Sequence, residues 1–210
     1  INFLIIIQGR GVTMAPLLEI KDLKVEFRTE RAKVKAINGL NLKINSGESI
    51  GLVGETGAGK TTTALAILNL LADTAVRSGE VYFHGKSVFS MKEKDLIDMR
   101  GKKVSMIFQN PLTALNPVFT VGEQIAMVLG AHERIGRKEA MERAGQLLEL
   151  VGIPKNRVYD YPNQFSGGMR QRVGIAASLA CNPELLIADE PTTALDVTIQ
   201  AQILELMKNL

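Results

Sequence analysis

Residues 54–61 read Gly-Glu-Thr-Gly-Ala-Gly-Lys-Thr, and that spacing, G-x-x-x-x-G-K-[ST], restricts the fold more than any other stretch of the chain. Glycines at these places let the backbone curl until several N–H groups point at one anion, and larger side chains would block the approach of phosphates. A helix that starts after Gly59 directs the positive end of its dipole at the same point. Lys60 supplies a full charge to the β and γ phosphates, and the Thr61 hydroxyl is a hard oxygen ligand for Mg²⁺. Gly54, Glu55, Thr56, Gly57, Ala58, Gly59, Lys60, Thr61 and Thr62 are therefore candidate nucleotide-binding residues. The flanks agree: an apolar strand (SIGLV) precedes the loop, and a helix over Thr61–Leu71 follows, with Leu65, Leu68 and Leu71 at helical spacing. A glycine-rich turn that matched by chance would lack that context.

A second element comes 124 residues after the loop. Leu185–Ala188 (LLIA) is a fully apolar strand, the kind buried on both faces in a parallel sheet, and it runs into Asp189 and Glu190. Taken alone, such an acidic pair is commonly a strand leaving the sheet for solvent. Beside a phosphate loop, Asp189 is placed to hold Mg²⁺, often through water. Glu190, the next residue, points the other way and is suited to accept a proton from an attacking water. Nucleoside triphosphate hydrolysis is the leading chemistry.

Around these motifs the chain alternates strands and helices. Strands are expected over Leu17–Phe27, Val34–Ile44, Glu48–Val53, Glu80–Phe83 and Lys103–Phe108. Helices are expected over Val121–Gly130, Lys138–Val151, Gly167–Ala180 and Thr198–Leu210, the second with an apolar stripe of Ala140, Ala144, Leu147, Leu148 and Val151. The alternation indicates an α/β fold with a largely parallel sheet. The helix-rich stretch from about 111 to 166 lies between the two chemical motifs and reads as an inserted helical subdomain. Hydrophobic residues make up 46% of the 210 and charged ones 22%, which argues for a packed domain over disorder. The net charge of +3 is spread along the chain. It does not argue for a nucleic-acid partner, and it is compatible with lying against an anionic membrane surface. Cys181, the single cysteine, sits in an apolar run and reads as a small core residue. The run Phe3–Ile7 is too short to span a bilayer and lacks the basic lead of a signal peptide. Met14 reads as a natural start, so residues 1–13 are expected to be an extension outside the fold, and 14–210 the folded domain.

Phe165-Ser166-Gly167-Gly168-Met169-Arg170-Gln171-Arg172 precedes a helix, with Ser166 a natural N-cap and the two glycines leaving N–H groups open toward an anion. On its own this is an ordinary helix start. A phosphate loop, then Gln109, then a Ser-Gly-Gly helix start, then a strand ending Asp-Glu together resemble the ABC ATPases. Three stretches resemble more closely the ATPase subunits of dipeptide and oligopeptide importers: FQNPLTALNPVFTVGEQI from Phe108, YPNQFSGGMRQRV from Tyr161, and LACNPELLIADEPTTALDVTIQAQIL from Leu179. The resemblance runs from about Leu17 to the end of the chain. It implies a P-loop NTPase (RecA-like) core with an N-terminal antiparallel β subdomain and an inserted helical subdomain. It implies ATP and Mg²⁺ as ligands, and a head-to-tail dimer with a second ABC ATPase, identical or a paralogue. Ser166, Gly167 and Gly168 would then meet the nucleotide held by the partner, and Asp196 would lie at the dimer interface. Gln109 would touch Mg²⁺ and the water and sense the permease. Phe27 sits where the family places an aromatic ring against adenine, although a strand residue facing the core would look the same. Integral membrane permease subunits and, indirectly, an extracytoplasmic solute-binding protein are the implied partners. The implied location is the cytoplasmic face of the inner membrane.

The chain also departs from the family pattern. The family form of the third motif is Leu-Ser-Gly-Gly-Gln, whereas Phe165 and Met169 stand at its two ends here. The family's γ-phosphate histidine follows the Asp-Glu strand, but His84 and His132 both precede it, and both read as surface or loop residues. A chain ending at Leu210 is therefore expected to be incomplete at its C-terminus and inactive or unstable as it stands. Relatives of this pattern import nickel, glutathione or short sugars, so cargo is less constrained than engine. A soluble ABC ATPase without a membrane partner is the alternative. Against it stands the segment Pro111–Glu123, which resembles the part that receives a permease's coupling helix.

Overall fold

The computed structural model describes residues 16–28, 32–109, 115–191, 200, 201 and 205, and the backbone of 3–8. Two four-stranded sheets organise the chain. The first is antiparallel: β2 (Leu18–Arg28) lies between β3 (Lys33–Ile44) and β5 (Ala75–Phe83), and the two-residue β6 (Lys86–Ser87) edges β5. The second has the order β4-β1-β8-β7, built from Ile50–Val53, Phe3–Gln8, Leu185–Asp189 and Val104–Ile107.

In the second sheet β7 and β8 are parallel, and β1 runs antiparallel to both β4 and β8. Strands β4, β8 and β7 therefore all point the same way, and their carboxyl ends meet at one edge. Residues 3–8, which fall within the stretch expected to stand outside the fold, form the strand between β4 and β8. The physical reason is visible in Phe-Leu-Ile-Ile-Ile: an apolar, β-branched run has high strand propensity, and a central position bonds both of its edges.

Helix α1 (Lys60–Ile67) follows the phosphate loop and stops four residues short of the expected Leu71. Asn69 turns to a positive φ of 51° there, and Arg100 donates to the carbonyls of Leu68 and Asn69, both at 2.8 Å. Within the helix Thr63, Ala64, Ala66 and Ile67 are buried; of the expected leucine stripe, Leu68 lies buried in the same cluster and Leu71 packs against it, while Leu65 is only partly buried. Helix α2 (Glu93–Met99) was not anticipated; it buries only Leu96 and Met99, too little to show as a period in sequence.

Helices α3 (Val121–His132), α4 (Arg137–Leu150) and α5 (Gly167–Leu179) gather around a second apolar cluster, where Ala140, Ala144, Leu148 and Val151 are buried with Ile125 and Leu129. Strand β8 serves both cores. Leu185 and Ile187 pack into the cluster under the antiparallel sheet, and Leu186 and Ala188 into the helical one. That alternation explains why the strand is apolar at four consecutive positions. Cys181 is half-buried beside the helical cluster, and burial pushes its thiol above the usual range.

Helix α3 opens with a reciprocal cap. The Thr120 hydroxyl accepts from the Glu123 N–H, and the Glu123 carboxylate accepts from the Thr120 N–H. That N–H, then the Thr120 hydroxyl, hold the Glu123 carboxyl below its usual range. A depressed carboxylate stabilises the fold above the unfolded pKa of about 4.3, and the contribution is lost as pH falls through the folded value. Thr120→Ala should cost about 0.5–2 kcal/mol in urea melts near neutrality. The difference from wild type should shrink as pH falls through the folded Glu123 value, where the carboxylate arm of the cap is lost.

Candidate active site

The loop between β4 and α1 is shaped by one close approach. Gly59 has φ +84°, and a Cβ there would stand 2.3 Å from the Ala36 carbonyl oxygen on β3. Any other residue would have to push the loop away from the antiparallel sheet. Gly59 also starts α1 without a side-chain cap, and the first turn holds no acidic residue, so no carboxylate competes for the positive end of the helix. Thr63 closes the turn by donating its hydroxyl and its N–H to the Gly59 carbonyl, at 2.9 and 2.8 Å.

Lys60 is folded back into the loop, with its ammonium donating to the carbonyls of Gly54 and Glu55 at 2.8 and 2.9 Å. Only 7% of the residue is exposed. A cation held against carbonyls alone lacks an opposite charge, and the loop surrounds that cation with the N–H-bearing backbone of a phosphate cradle.

The two acidic residues meet this loop from the neighbouring parallel strand end. The Thr61 hydroxyl donates to the Asp189 carboxylate at 2.6 Å across 128 residues of sequence. Strands separated by one intervening strand lie about 10 Å apart, so this bond spans β1 at the shared edge. Glu190 follows, 7% exposed, with its backbone in the left-handed region at φ +50°. Its carboxylate accepts from the Gln109 side-chain amide at 2.8 Å, two residues past the end of β7. Lys60, Thr61, Asp189, Glu190 and Gln109 thus converge at the carboxyl ends of three parallel strands, the edge where open α/β sheets bind ligands.

The remaining candidates lie apart from this cluster or at its rim. Phe27 is half-buried against the core of the antiparallel sheet and pairs with Val34, two residues from the Ala36 that touches Gly59. That end of the sheet overhangs the loop. Ser166 caps α5 by accepting from the Met169 N–H, and it and Gly167 are exposed. Nothing within 4 Å would meet a Cβ on Gly167, so packing inside this chain does not demand a glycine there. Asp196 lies outside the described residues. His84 contacts Glu184 at 2.5 Å on the surface, and His132 ends α3, both away from the cluster.

Arg100 and Gln171 were not anticipated as site residues. Arg100 holds the far end of α1. Gln171, on α5, donates to the Pro191 carbonyl at 2.5 Å, one residue past Glu190. Arg100 sits in no recognisable spacing, and Gln171 lies within the Ser-Gly-Gly stretch without a role assigned to it; both act through backbone carbonyls that are distant in sequence.

Comparison with known proteins identifies the family. A family model described as "ABC transporter" matches residues 37–193. The oligopeptide transport ATP-binding protein OppD of Bacillus subtilis is 53% identical over 95% of this chain and 57% of its own length. The protein of the same name from Escherichia coli is 48% identical over 92% of this chain and 58% of its own length. The chain thus spans under three-fifths of the length of these two curated relatives. Among solved structures, the dimeric post-hydrolysis state of the ATP-binding cassette MJ0796 bound to ADP and Pi superposes with a TM-score of 0.79 at 30% identity, covering 90% of this chain and 81% of that one. With a phosphate loop joined to an acidic strand end, and a family match over most of its length, the chain belongs to the ABC transporter family.

Proposed function

We propose that the chain binds and hydrolyses ATP to power an importer of dipeptides or oligopeptides, with nickel and short sugars as the related cargo classes. The hydrogen bond from Thr61 to Asp189, with Gln109 on Glu190 beside it, carries this reading. It brings a phosphate-loop hydroxyl and a carboxylate into contact, and leaves the next carboxylate held by an amide.

The Thr61 hydroxyl and the Asp189 carboxylate are adjacent hard oxygen donors, a set that fits Mg²⁺ and not a softer metal. Gln109 would complete the set through its amide oxygen. Among the described residues no group of three or more His, Cys, Asp or Glu side chains is placed to hold a metal ion alone. That suits an ion that shares its shell with phosphate oxygens and water. Bound there, it would neutralise charge on the β and γ phosphates.

The chain's own residues do the rest. Lys60 turns its ammonium from the two loop carbonyls to the phosphates. The amides of residues 55–61 bind the triphosphate and hold it in line. Glu190 accepts the proton of the attacking water, and Gln109 orients that carboxylate. Phe27, partly buried at the end of the antiparallel sheet, offers its ring to the base. Ser166, Gly167 and Gly168 present helix N–H groups to the nucleotide of a second ATPase subunit, and Asp196 lies at that contact.

The membrane partner is read from the surface. Val118, Phe119 and Met127 are 73, 38 and 50% exposed at the start of α3 and the loop before it. Phe119, Ala126, Met127, Ile135 and Met141 line a cavity of about 530 Å³ there. An apolar patch of this kind marks a protein interface, here for a helix of the permease. Attachment at the cytoplasmic face would come through that contact; no described helix is long and apolar enough to cross a membrane. The test is ATP hydrolysis in proteoliposomes that carry the permease and the solute-binding protein. Oligopeptide should raise turnover several-fold. Turnover raised by a different solute would reassign the cargo; a complex that hydrolyses no ATP with any solute would end the reading.

A further inference from the structure

Gln171 is 1% exposed on α5, five residues from the Ser166 cap, and the hydrolytic residues proposed above do not include it. Its amide N–H donates to the Pro191 carbonyl at 2.5 Å. Its Oε1 is the one buried side-chain oxygen or nitrogen without a hydrogen-bond partner among the described residues. A cavity of about 200 Å³ lies beside it, lined by Met106, Ile107, Leu115, Gly174 and Ser178 among others. A buried amide left half-satisfied is unfavourable, and methionine or leucine would fill the same space without that penalty. The use of a glutamine here is therefore the bond it does make.

That bond ends beside the most strained backbone of the site. Glu190 holds φ +50° directly before a proline, and proline further restricts the residue ahead of it. Such conformations persist only where surrounding contacts over-determine them. Two amides supply those contacts from two different elements. Gln109, beyond β7, holds the Glu190 carboxylate at 2.8 Å, and Gln171, on α5, holds the next carbonyl along the chain. The helix that carries Gln171 is itself fixed to the sheet one face-repeat further on, where the Ser178 hydroxyl donates to the Met106 carbonyl at 3.0 Å.

We infer that Gln171 is a positioning residue for Glu190: it fixes the backbone that aims the carboxylate, and it ties that carboxylate to the helix headed by Ser166, Gly167 and Gly168. Residue 171 stands about 7.5 Å along the helix axis from the cap. A displacement of the helix head is therefore delivered to Pro191 through one rigid turn and a half and a single hydrogen bond. What meets the exposed glycines then sets the aim of this chain's own acid. The inference rests on the reading of Glu190 as the proton acceptor.

The test uses the importer complex in the proteoliposomes described above, with Mg-ATP. Gln171→Met keeps length and volume and removes the donor. It should lower kcat roughly 10- to 100-fold, the scale of an ångström-sized misplacement, with ATP affinity within about twofold of wild type and the melting temperature not lowered. Gln171→Glu places a carboxylate against the Pro191 carbonyl. A buried carboxyl has a raised pKa and regains an O–H donor when protonated, so its rate relative to wild type should climb as pH falls from about 8 to about 6. A Gln171→Met protein with wild-type kcat overturns the inference. So does a loss of kcat matched by an equal loss of ATP affinity or of melting temperature, and so does a flat relative pH profile for Gln171→Glu. Glu190→Gln measured alongside separates the two readings. If it is dead while Gln171→Met is fully active, only the positioning role falls; if Glu190→Gln itself turns over normally, the proton-acceptor reading falls first.

Discussion

Lys60→Ala should abolish tight Mg-ATP binding. The Lys60 ammonium is the cation buried at the centre of the loop, held by the Gly54 and Glu55 carbonyls at 2.8 and 2.9 Å. Charge-assisted hydrogen bonds contribute about 1.5–3 kcal/mol each, so losing two toward the β and γ phosphates weakens binding by roughly 10²- to 10⁴-fold. The fold should lose less. The two carbonyls lose a donor but lie at the loop surface, where water replaces it, at a cost of about 1 kcal/mol. Lys60→Arg should not rescue binding. The site is built for a compact ammonium with three rotatable donors, and a planar fork on a longer stem does not fit beneath a curled backbone. Isothermal titration of the folded variants, checked by a melt, reads the outcome directly. Normal ATP affinity in a folded Lys60→Ala protein would remove the loop from the binding site, and with it the order of every residue placed around it.

The parts of this site that could be read in sequence are those whose chemistry is local. The loop from Gly54 to Thr61 carries its own turn residues and helix start, so its shape follows from eight neighbouring side chains. Strand β8 is apolar on consecutive positions because both faces are buried, and that too is a local pattern. Ser166 was legible as a cap for the same reason. Partners that meet across the chain were not. Nothing near Arg100 announces that it ends α1 some 30 residues earlier. Nothing near Gln171 marks the Pro191 carbonyl, since any backbone carbonyl is as good an acceptor as another. The left-handed Glu190 was also invisible, because strain is imposed by the surroundings and a glutamate does not favour it. Residues 3–8 show the converse: their apolar run was evident, but its pairing in a sheet depends on two strands, 50–53 and 185–189, that lie far along the chain.

Glu190→Gln should keep ATP binding and stop turnover. The substituted amide has nearly the same shape and can still accept from Gln109 through its oxygen, so the packing at 7% exposure is preserved. What it cannot do is take a proton. General-base groups contribute typically about 10²- to 10⁴-fold, and kcat should fall by that factor with ATP affinity nearly unchanged. Because ATP stays bound, the closed pair of ATPase subunits should accumulate, visible as a Mg-ATP-dependent dimer by size-exclusion chromatography. Glu190→Gly provides the contrasting variant. Glycine adopts φ +50° freely, and an L side chain in the left-handed region costs roughly 1–2 kcal/mol. That variant should be equally inactive yet melt higher by a few degrees, since about 1 kcal/mol moves the melting point of a chain this size by about 2–4 °C. The two variants together separate chemistry from strain: equal loss of turnover with a raised melting point in Glu190→Gly alone identifies a carboxylate held in an unfavourable conformation for its reactivity. Unimpaired hydrolysis in Glu190→Gln would move the base to another residue. A Glu190→Gly protein that melts lower than wild type would mean that the contacts of the carboxylate, the bond from Gln109 among them, outweigh the strain of the left-handed turn.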